Sequence, residues 1–334
     1  WYVQHVGARY LEEIGLERNN SVKPYLEYKE MLEDPAIDGV VSASPDHWHA
    51  QHVLDSIKAD KDVYCEKPLS HNIKEGRKMV KAVERSGKIL QTGRMQRSRD
   101  TFRKACELVS NGYLGDIERV EVNVGDPAIA YNLPTETMPK EVNWNNWCGP
   151  APLLAYNHRL APSSNDVNFW PDWRLFEEVG GVILSDWGAH MFDIAQWALG
   201  MDRSGPVKLI PPKDPKAVRG LKMQYANGIE VEHKDFGRGW GVRFFGSKGQ
   251  MDISRQYFET TPVNLVDVEL SSSDARLYKS DNHLADWLQA IKSRKQPICD
   301  VETGHRSATV CHLANIAYKL GRDLEWNPEK EKFV

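Results

Sequence analysis

One lysine and one histidine, far apart along the chain, have the type and setting that proton transfer requires. The triplet EKP at 66–68 follows a short apolar run. A lysine that loses hydration in a cleft has a lowered pKa and can act as an acid or a base. Pro68 can adopt the cis form, which would fix the direction of Lys67. The alternative is an ordinary exposed turn lysine, and a tripeptide alone does not decide between the two.

The second candidate segment is GGVILSDWGAH at 180–190, in which Asp186 and His190 lie four residues apart. On a single helix this spacing places both side chains on one face, where a carboxylate can hold the tautomer of an imidazole and raise its basicity. In the alternative interpretation Asp186 caps a helix that begins at Trp187, and His190 is a satisfied, half-buried histidine. The segment by itself favours neither.

The third candidate segment is SPDHWH at 44–49. His47 and His49 suggest a metal pair at first sight, but no further Cys or His lies at ligand spacing. Asp46 after a proline is typical of a turn and a helix start. We therefore predict no metal site here, and none in the rest of the chain.

A repeating pattern in the first hundred residues predicts the scaffold for these segments. Short apolar strands alternate with helices, which predicts βαβ units and a doubly wound parallel sheet. The predicted strands are 39–43, 62–65 and 88–92, and the predicted helices are 7–18, 28–32, 49–58 and 73–85. Ligands of such sheets bind beyond the carboxyl ends of the strands, which is where the polar segments 44–46, 66–68 and 93–94 follow.

The remainder of the chain has a different pattern. A Pro- and Asn-rich stretch at 126–168 is typical of a binding loop or lid, and strand-like runs dominate from 207 to 270. The predicted helices here are 101–110, 187–199, 282–293 and 304–320, and a strand is predicted at 118–124. We predict an α/β fold with a partial Rossmann dinucleotide-binding domain at 1–95. A substrate-binding α+β domain with an open, mainly antiparallel sheet follows at 96–310, and a C-terminal helix and tail at 311–334.

Composition excludes several classes of protein. The formal net charge of -4 over 334 residues argues against a nucleic-acid or anionic-membrane partner, since both require a basic face. No run approaches the roughly 18 apolar residues of a membrane span. The five cysteines include no CxxC pair, so we expect reduced, mostly buried thiols rather than a disulfide framework or a zinc site.

Four motifs in order resemble the Gfo/Idh/MocA family, the superfamily of glucose–fructose oxidoreductase and inositol dehydrogenase. They are SPDHWH at 44–49, YCEKPL at 64–69, QTG at 91–93 and the GG…DWGAH segment at 180–190. The segment 299–308 is similar to a large bacterial branch of dehydrogenases in that family. The resemblance covers nearly the whole chain, and it implies a Rossmann domain followed by an α/β domain whose open sheet often forms oligomer contacts.

The resemblance also implies roles for individual residues. Lys67 would hydrogen-bond the reacting hydroxyl and share in proton transfer, while Asp186 and His190 would orient the substrate and act as acid and base. The implied cofactor is NAD or NADP. Its implied contacts are Ser44, Pro45, Asp46, His49, Glu66, Lys67, Gln91 and Trp147. The implied substrate contacts are Arg94, Trp173, Arg174, Asp186 and His190, and tryptophans 144, 147, 170 and 173 could supply aromatic faces for a sugar ring.

One departure from the family pattern concerns the cofactor. The family opens with a strand, a GxGxxG-type turn and an acidic residue, and Gly7 is isolated in a helical stretch. Glycines let the backbone approach the pyrophosphate at a helix N-terminus. Either residues before Trp1 are absent from this sequence or the cofactor site is degenerate. A Rossmann sheet without that strand would expose apolar edges, which favours the first explanation.

We therefore expect an NAD(P)-dependent oxidoreductase that takes a hydride from a secondary hydroxyl of a sugar, glycoside or polyol. Two alternatives stay open: an NAD-assisted glycoside hydrolase or lyase with transient ring oxidation, and a non-catalytic carbohydrate-binding relative. The expected partners are the carbohydrate and further copies of the chain, as a dimer or tetramer through the C-terminal sheet. The expected location is the cytoplasm, or the periplasm after removal of a leader.

Overall fold

The computed structural model describes residues 23–161 and 171–334. Its first part is a parallel sheet in the order β1-β2-β3, with helices in the connections. The elements are α1 Tyr28–Glu33, β1 Gly39–Ser42, α2 Asp46–Lys58, β2 Asp62–Cys65, α3 Ile73–Ser86 and β3 Leu90–Thr92. The predicted parallel sheet is confirmed, whereas the helix predicted at 7–18 lies outside the described residues.

One detail of this sheet differs from the prediction. Strand β1 forms where the sequence predicts a short apolar strand, but one of its apolar residues, Val41, is 58% exposed. Among the described strands β1 pairs only with β2 and therefore forms an edge, and an edge strand has less of its surface covered.

Helix α3 illustrates how local sequence sets the bounds of an element. The Asn72 side chain accepts a hydrogen bond from the Glu75 amide (3.0 Å) at the N-cap. Gly87 ends the helix with φ of 68°, a left-handed conformation that costs glycine little. Between these caps Met79, with Val80 and Val83, forms the buried face, so the helix runs as the sequence predicts.

The second part is built on a nine-stranded sheet in the order β10-β9-β8-β4-β7-β6-β5-β11-β12. Every neighbouring pair is antiparallel except β4 and β7, which are parallel. The predicted open, mainly antiparallel sheet is confirmed. Its strands are β4 Ile117–Asn123, β5 Lys208–Ile210, β6 Leu221–Gln224, β7 Glu230–His233, β8 Gly241–Gly246, β9 Gly249–Ile253, β10 Phe258–Thr261, β11 Leu324–Asn327 and β12 Lys332–Phe333.

Helices cover one face of this sheet and form the main core with it. Helix α7 is buried over its whole length, and its Phe192 and Ile194 belong to the same apolar cluster as Val120, Val122 and Phe244 of the sheet. The helices of this part are α4 Asp100–Ser110, α5 Trp144–Cys148, α6 Val182–Asp186, α7 Gly188–Ala198, α8 His283–Ser293 and α9 Val301–Leu320.

Helix α9 joins the two parts of the molecule and corrects one predicted boundary. It runs without a break from Val301 to Leu320 and packs on both α3 and α7. The boundary that we predicted between residues 310 and 311 falls inside this helix, and β11 and β12 extend the large sheet. Residues 311–334 are therefore not a separate unit, because the helix and the sheet cross that point.

All five cysteines lie in the described part of the chain, and each is free and buried, as the composition predicts. Across residues 23–161 and 171–334, no helix is both long enough and apolar enough to span a lipid bilayer.

Candidate active site

A cavity of about 340 Å³ lies at the carboxyl ends of β1 and β2, the position that the strand pattern predicts for a ligand. Eight of the predicted site residues line it, together with Ala43. These are Ser44, Pro45, Asp46, Glu66, Lys67, Trp173, Arg174 and Asp186. The structure therefore brings both candidate segments of the Rossmann part together with the end of helix α6.

The central contact in this cavity is an ion pair between the Lys67 ammonium and the Asp186 carboxylate. The two residues are 119 positions apart in sequence, and their side chains are 18% and 10% exposed. The Lys67–Pro68 peptide bond is cis. One half of the chain thus supplies the cation and the other half supplies the anion.

Two further carboxyl groups of the cavity, those of Asp46 and Glu66, are shielded from solvent. Burial, and after it the negative charge of Asp186, raises the pKa of Asp46 to about 7, while Lys67 and Arg174 act in the opposite direction. Burial also raises the pKa of Glu66. A Cβ on Gly93 would come within 2.8 Å of the Glu66 carboxyl carbon, so glycine leaves the room that this carboxyl occupies.

His190 is 3% exposed and adjoins this group of charges. Burial lowers the pKa of its imidazole well below 6.5, and the positive charges of Lys67 and Arg255 lower it further. The imidazole is therefore neutral at pH 7. Its Nδ1 atom has no hydrogen-bond partner within the described residues. A neutral imidazole has a ring nitrogen that can accept a proton, and the lowered pKa makes it a weaker base than an exposed histidine.

The pairing of Asp186 with His190, one of the two interpretations that the sequence left open, does not form in the structure. Helix α6 ends at Asp186 and helix α7 begins at Gly188, so Trp187 interrupts the helix and the i, i+4 rule does not apply. Asp186 contacts Lys67 instead, and no hydrogen bond joins it to His190 in the described part. The alternative does not form either, because Trp187 is the N-cap residue and no side chain caps α7.

The segment before α6 connects the cavity to the rest of the fold. The Gly181 amide donates to the Asp46 carboxylate at 3.4 Å, and the Gly181 carbonyl accepts from the Asn315 amide at 3.0 Å. Val182 follows with φ of 61°, a conformation that is rare and strained for a β-branched residue. The backbone at the entry to α6 is thus held by contacts on both sides.

His49 holds the loops of the cavity together and does not line the cavity itself. Its Nδ1 lies 2.8 Å from the Pro68 carbonyl oxygen, and its Nε2 lies 2.9 Å from the Ser44 carbonyl oxygen. The side chain is buried, and burial lowers its pKa to about 4. We predicted a direct cofactor contact, but both ring nitrogens face backbone carbonyls of the loops that follow β1 and β2, and the single N–H of the neutral imidazole donates to one of them.

Two other predicted ligand contacts are contradicted by burial. Arg94 is 0% exposed and donates to the Asp193 carboxylate (2.9 Å) and to the Gly304 carbonyl. Gln91 is equally buried and donates to the His283 carbonyl at 2.5 Å. Both residues belong to or follow β3, the strand end that is covered by residues from α8 and α9, so they cannot reach the cavity.

Trp147 lies beside the site rather than in the cavity lining. Its ring stacks on Trp144 with centroids 4.6 Å apart, and its carbonyl accepts from the Trp48 indole at 3.0 Å. His47, to which we assigned no role once a metal pair was rejected, has ring nitrogens 3.0 Å from the carbonyls of both Trp147 and Val179. His47 thus joins the 44–49 segment to the backbone of Trp147 and Val179. The sequence signal that could have identified this contact was the position of His47 within the 44–49 motif.

Among residues 23–161 and 171–334, no group of three or more His, Cys, Asp or Glu side chains is arranged so that it could hold a metal ion.

Both parts of the sequence match models of one oxidoreductase family. Residues 5–94 match its NAD-binding Rossmann fold, and residues 127–334 match its C-terminal alpha/beta domain. Myo-inositol 2-dehydrogenase of Thermotoga maritima is 35% identical over 117 residues, which cover 35% of this chain and 34% of that protein. The aligned part therefore spans about a third of the length of that relative.

Two solved structures are similar over most of both chains. The WlbA dehydrogenase from Bordetella pertussis, in complex with NADH and UDP-GlcNAcA, has a TM-score of 0.64 at 17% identity and covers 96% of this chain and 87% of its own. The aldose-aldose oxidoreductase from Caulobacter crescentus has a TM-score of 0.63 at 20% identity and covers 95% and 87%. At these identities the likeness concerns the fold alone. The two family models match most of the sequence, and the shared fold agrees with them. This chain belongs to the Gfo/Idh/MocA oxidoreductase family.

Proposed function

We propose that this protein oxidises a secondary hydroxyl of a sugar, glycoside or polyol, with NAD⁺ or NADP⁺ as hydride acceptor. The observation that carries the proposal is the ion pair between Lys67 and Asp186 in a cavity at the strand ends, beside the buried, neutral His190. A cation, an anion and a neutral base are the groups that alcohol oxidation needs, because the hydroxyl must be bound, oriented and deprotonated.

The three residues would divide these tasks. The Lys67 ammonium, already oriented by Asp186, donates a hydrogen bond to the substrate oxygen and stabilises the negative charge that develops there. His190 takes the hydroxyl proton. In the exchanged arrangement Lys67 first loses a proton and then accepts the hydroxyl proton as a neutral amine, while His190 hydrogen-bonds the substrate oxygen. Asp186 holds Lys67 in place and accepts a hydrogen bond from a second hydroxyl of the substrate.

The residues at the strand ends fit the nicotinamide half of the cofactor. Ser44 and Glu66 supply a hydroxyl and a carboxyl group, which can hydrogen-bond a ribose, and the backbone of Pro45 lines the same cavity. The bound cofactor supplies the hydride-accepting ring. The family description of residues 5–94 as an NAD-binding Rossmann fold supports this choice of cofactor, and the activities after which the relatives are named support a sugar or polyol substrate.

The test is turnover of a carbohydrate and polyol panel, followed as NADH or NADPH formation, by the wild-type protein and by Lys67→Met. The variant keeps an unbranched side chain, one atom shorter than that of lysine, and removes its charge, so we expect kcat/KM to fall by about 10²–10⁴-fold. Lys295→Met, which alters an exposed lysine just after α8, is the matched control and should retain activity. Equal activity of Lys67→Met and wild type would remove Lys67 from the mechanism, and glycoside cleavage without net NADH would favour the hydrolase alternative.

A further inference from the structure

Arg255, which follows strand β9, has a guanidinium group that no carboxylate of the described residues contacts. It lies 4.4 Å from the centre of the Trp187 ring, and its side chain makes no hydrogen bond or ion pair within residues 23–161 and 171–334. The nearby Arg238 and Arg243 differ, since both bind the Asp252 carboxylate. Arg255 is exposed, so its N–H groups are accessible to a ligand.

This cation lies close to the proposed reaction centre. The Trp187 ring that it covers is 5.6 Å from the His190 ring, centre to centre, and Trp187 directly follows Asp186. The positive charge of Arg255 contributes to the low pKa of His190, and the charge of Asp186 in turn acts on the pKa of Arg255. Arg255 is therefore within electrostatic reach of both groups.

The turn that carries Arg255 is preorganised. The Ser254 hydroxyl accepts hydrogen bonds from the amides of Gln256 (2.9 Å) and Tyr257 (3.1 Å), and the Ser254 amide donates to the Tyr257 carbonyl at 2.8 Å. These contacts fix the backbone on both sides of Arg255. A cation on a fixed turn loses less conformational entropy when it binds a ligand.

Two tryptophan rings, those of Trp187 and Trp240, lie beside the Arg255 guanidinium. The Trp240 ring lies 4.5 Å from the Trp187 ring and is 39% exposed. The loop that carries it is held by Asn123, whose side-chain amide donates to the Gly239 carbonyl (2.9 Å) and to the Asp235 carboxylate (3.0 Å). Exposed indole faces of this kind pack well against the apolar face of a sugar ring.

We propose that Arg255, with Trp187 and Trp240, forms a subsite for an anionic group on the sugar substrate, a carboxylate or a phosphate. This inference rests on the proposed function, and it narrows the substrate class from sugars, glycosides and polyols in general to those that carry an anionic group. The planar guanidinium binds either anion through two parallel hydrogen bonds. Arg99, a second exposed arginine without an ion pair in the described part, acts electrostatically on Arg255 and adds to the positive potential.

The experiment compares kcat and KM for glucose, glucuronate and glucose 6-phosphate in the wild type, Arg255→Gln and Arg238→Gln. Arg238 stacks on Tyr257 much as Arg255 stacks on Trp187, but it is ion-paired, which makes it a matched control. We expect the wild type to have a higher kcat/KM for one of the charged sugars than for glucose. The charge of that sugar identifies the anion that the subsite binds. In Arg255→Gln the KM for that charged sugar should rise by about 10- to 100-fold relative to the KM for glucose, and Arg238→Gln should behave as wild type.

Calorimetric titration of the same sugars separates this inference from the proposed function. Binding of a charged sugar that weakens in Arg255→Gln, without turnover of any sugar, would support the subsite while the proposed dehydrogenase activity fails. Turnover in which the wild type has no preference for charged sugars, or in which Arg255→Gln keeps that preference, would overturn the subsite and leave the dehydrogenase activity in place.

Discussion

Three carboxyl groups share the cavity with two cations, and the charge of one carboxyl is set by its surroundings. Asp46 lies with Glu66 and Asp186 near Lys67 and Arg174. Because Asp46 is buried and faces the negative charge of Asp186, its pKa is about 7. The net charge around the Lys67–Asp186 pair therefore changes near neutral pH, which bears on both activity and stability.

The first consequence is a pH dependence of stability that Asp46→Asn should reduce. Between pH 3.8 and about 7 the folded protein holds a proton on Asp46 that the unfolded chain releases. The free energy of unfolding therefore falls as pH rises through this window, by about 1.4 kcal/mol for each pH step of one. Urea denaturation at several pH values measures it, relative to the variant.

The control for this prediction is Asp281→Asn, which alters an exposed carboxylate and should leave the pH profile unchanged. In Asp46→Asn the decrease of stability between acid and neutral pH should be smaller than in wild type. Parallel profiles for wild type and Asp46→Asn would mean that Asp46 is ionised throughout this range.

At the scale of elements, the approach of α9 to β3 depends on one glycine. A Cβ on Gly304 would overlap the Thr92 hydroxyl and lie 3.4 Å from a Leu69 methyl group. The Thr92 hydroxyl is itself buried without a hydrogen-bond partner in the described residues. Asp300 caps the helix by accepting from the Thr303 amide at 2.8 Å, so the helix begins before Gly304, where the sequence pattern had suggested its start.

Gly304→Ala should therefore destabilise the protein, although alanine is the better helix former by about 1 kcal/mol. The expected net cost is ~1–3 kcal/mol, because the added methyl group overpacks the contact with β3. Thermal or urea unfolding measures the change. In a Thr92→Ala background the same substitution should cost less, since the hydroxyl that it meets is gone. Strictly additive effects of the two substitutions would refute this account.

At the scale of the whole molecule, a buried network of charges joins the two parts. The Asp193 carboxylate on α7 accepts hydrogen bonds from Arg94 (2.9 Å), from Arg97 (2.7 and 2.8 Å) and from the Ser307 hydroxyl (2.7 Å). Arg97 also binds Asp202. The two arginines follow β3, whereas Ser307 lies on α9, so one carboxylate connects the Rossmann part with two helices of the second part.

Asp193→Asn should cost ~3–5 kcal/mol of unfolding free energy, because it leaves two buried guanidinium groups with too little negative charge. Asp202→Asn, in which the lost carboxylate is 29% exposed, should cost clearly less. Urea denaturation of both variants gives the comparison. Equal losses would mean that the network contributes through packing rather than through the charge of Asp193.

Much of the architecture and part of the site were determined by the sequence alone. The caps of α3 and the alternation of strands and helices are local features, so they predict elements that form where expected. Lys67 and Asp46 were identified because polar residues directly after buried strands must lie at the carboxyl edge of a parallel sheet. These features depend on residues that are close in sequence, so they can be predicted without knowing how the two parts of the molecule pack.

Tertiary structure decided which of these polar residues line the cavity. Arg94 follows β3 just as Lys67 follows β2, yet Arg94 is buried against helices whose contact residues lie 99 and 210 positions later in the chain. The partner of Asp186 was likewise a lysine 119 residues away and not the histidine four residues on. Pairing across such distances depends on how the two parts pack. The same holds for Arg255, which has no carboxylate partner among the described residues, because only the packed fold shows which side chains surround it.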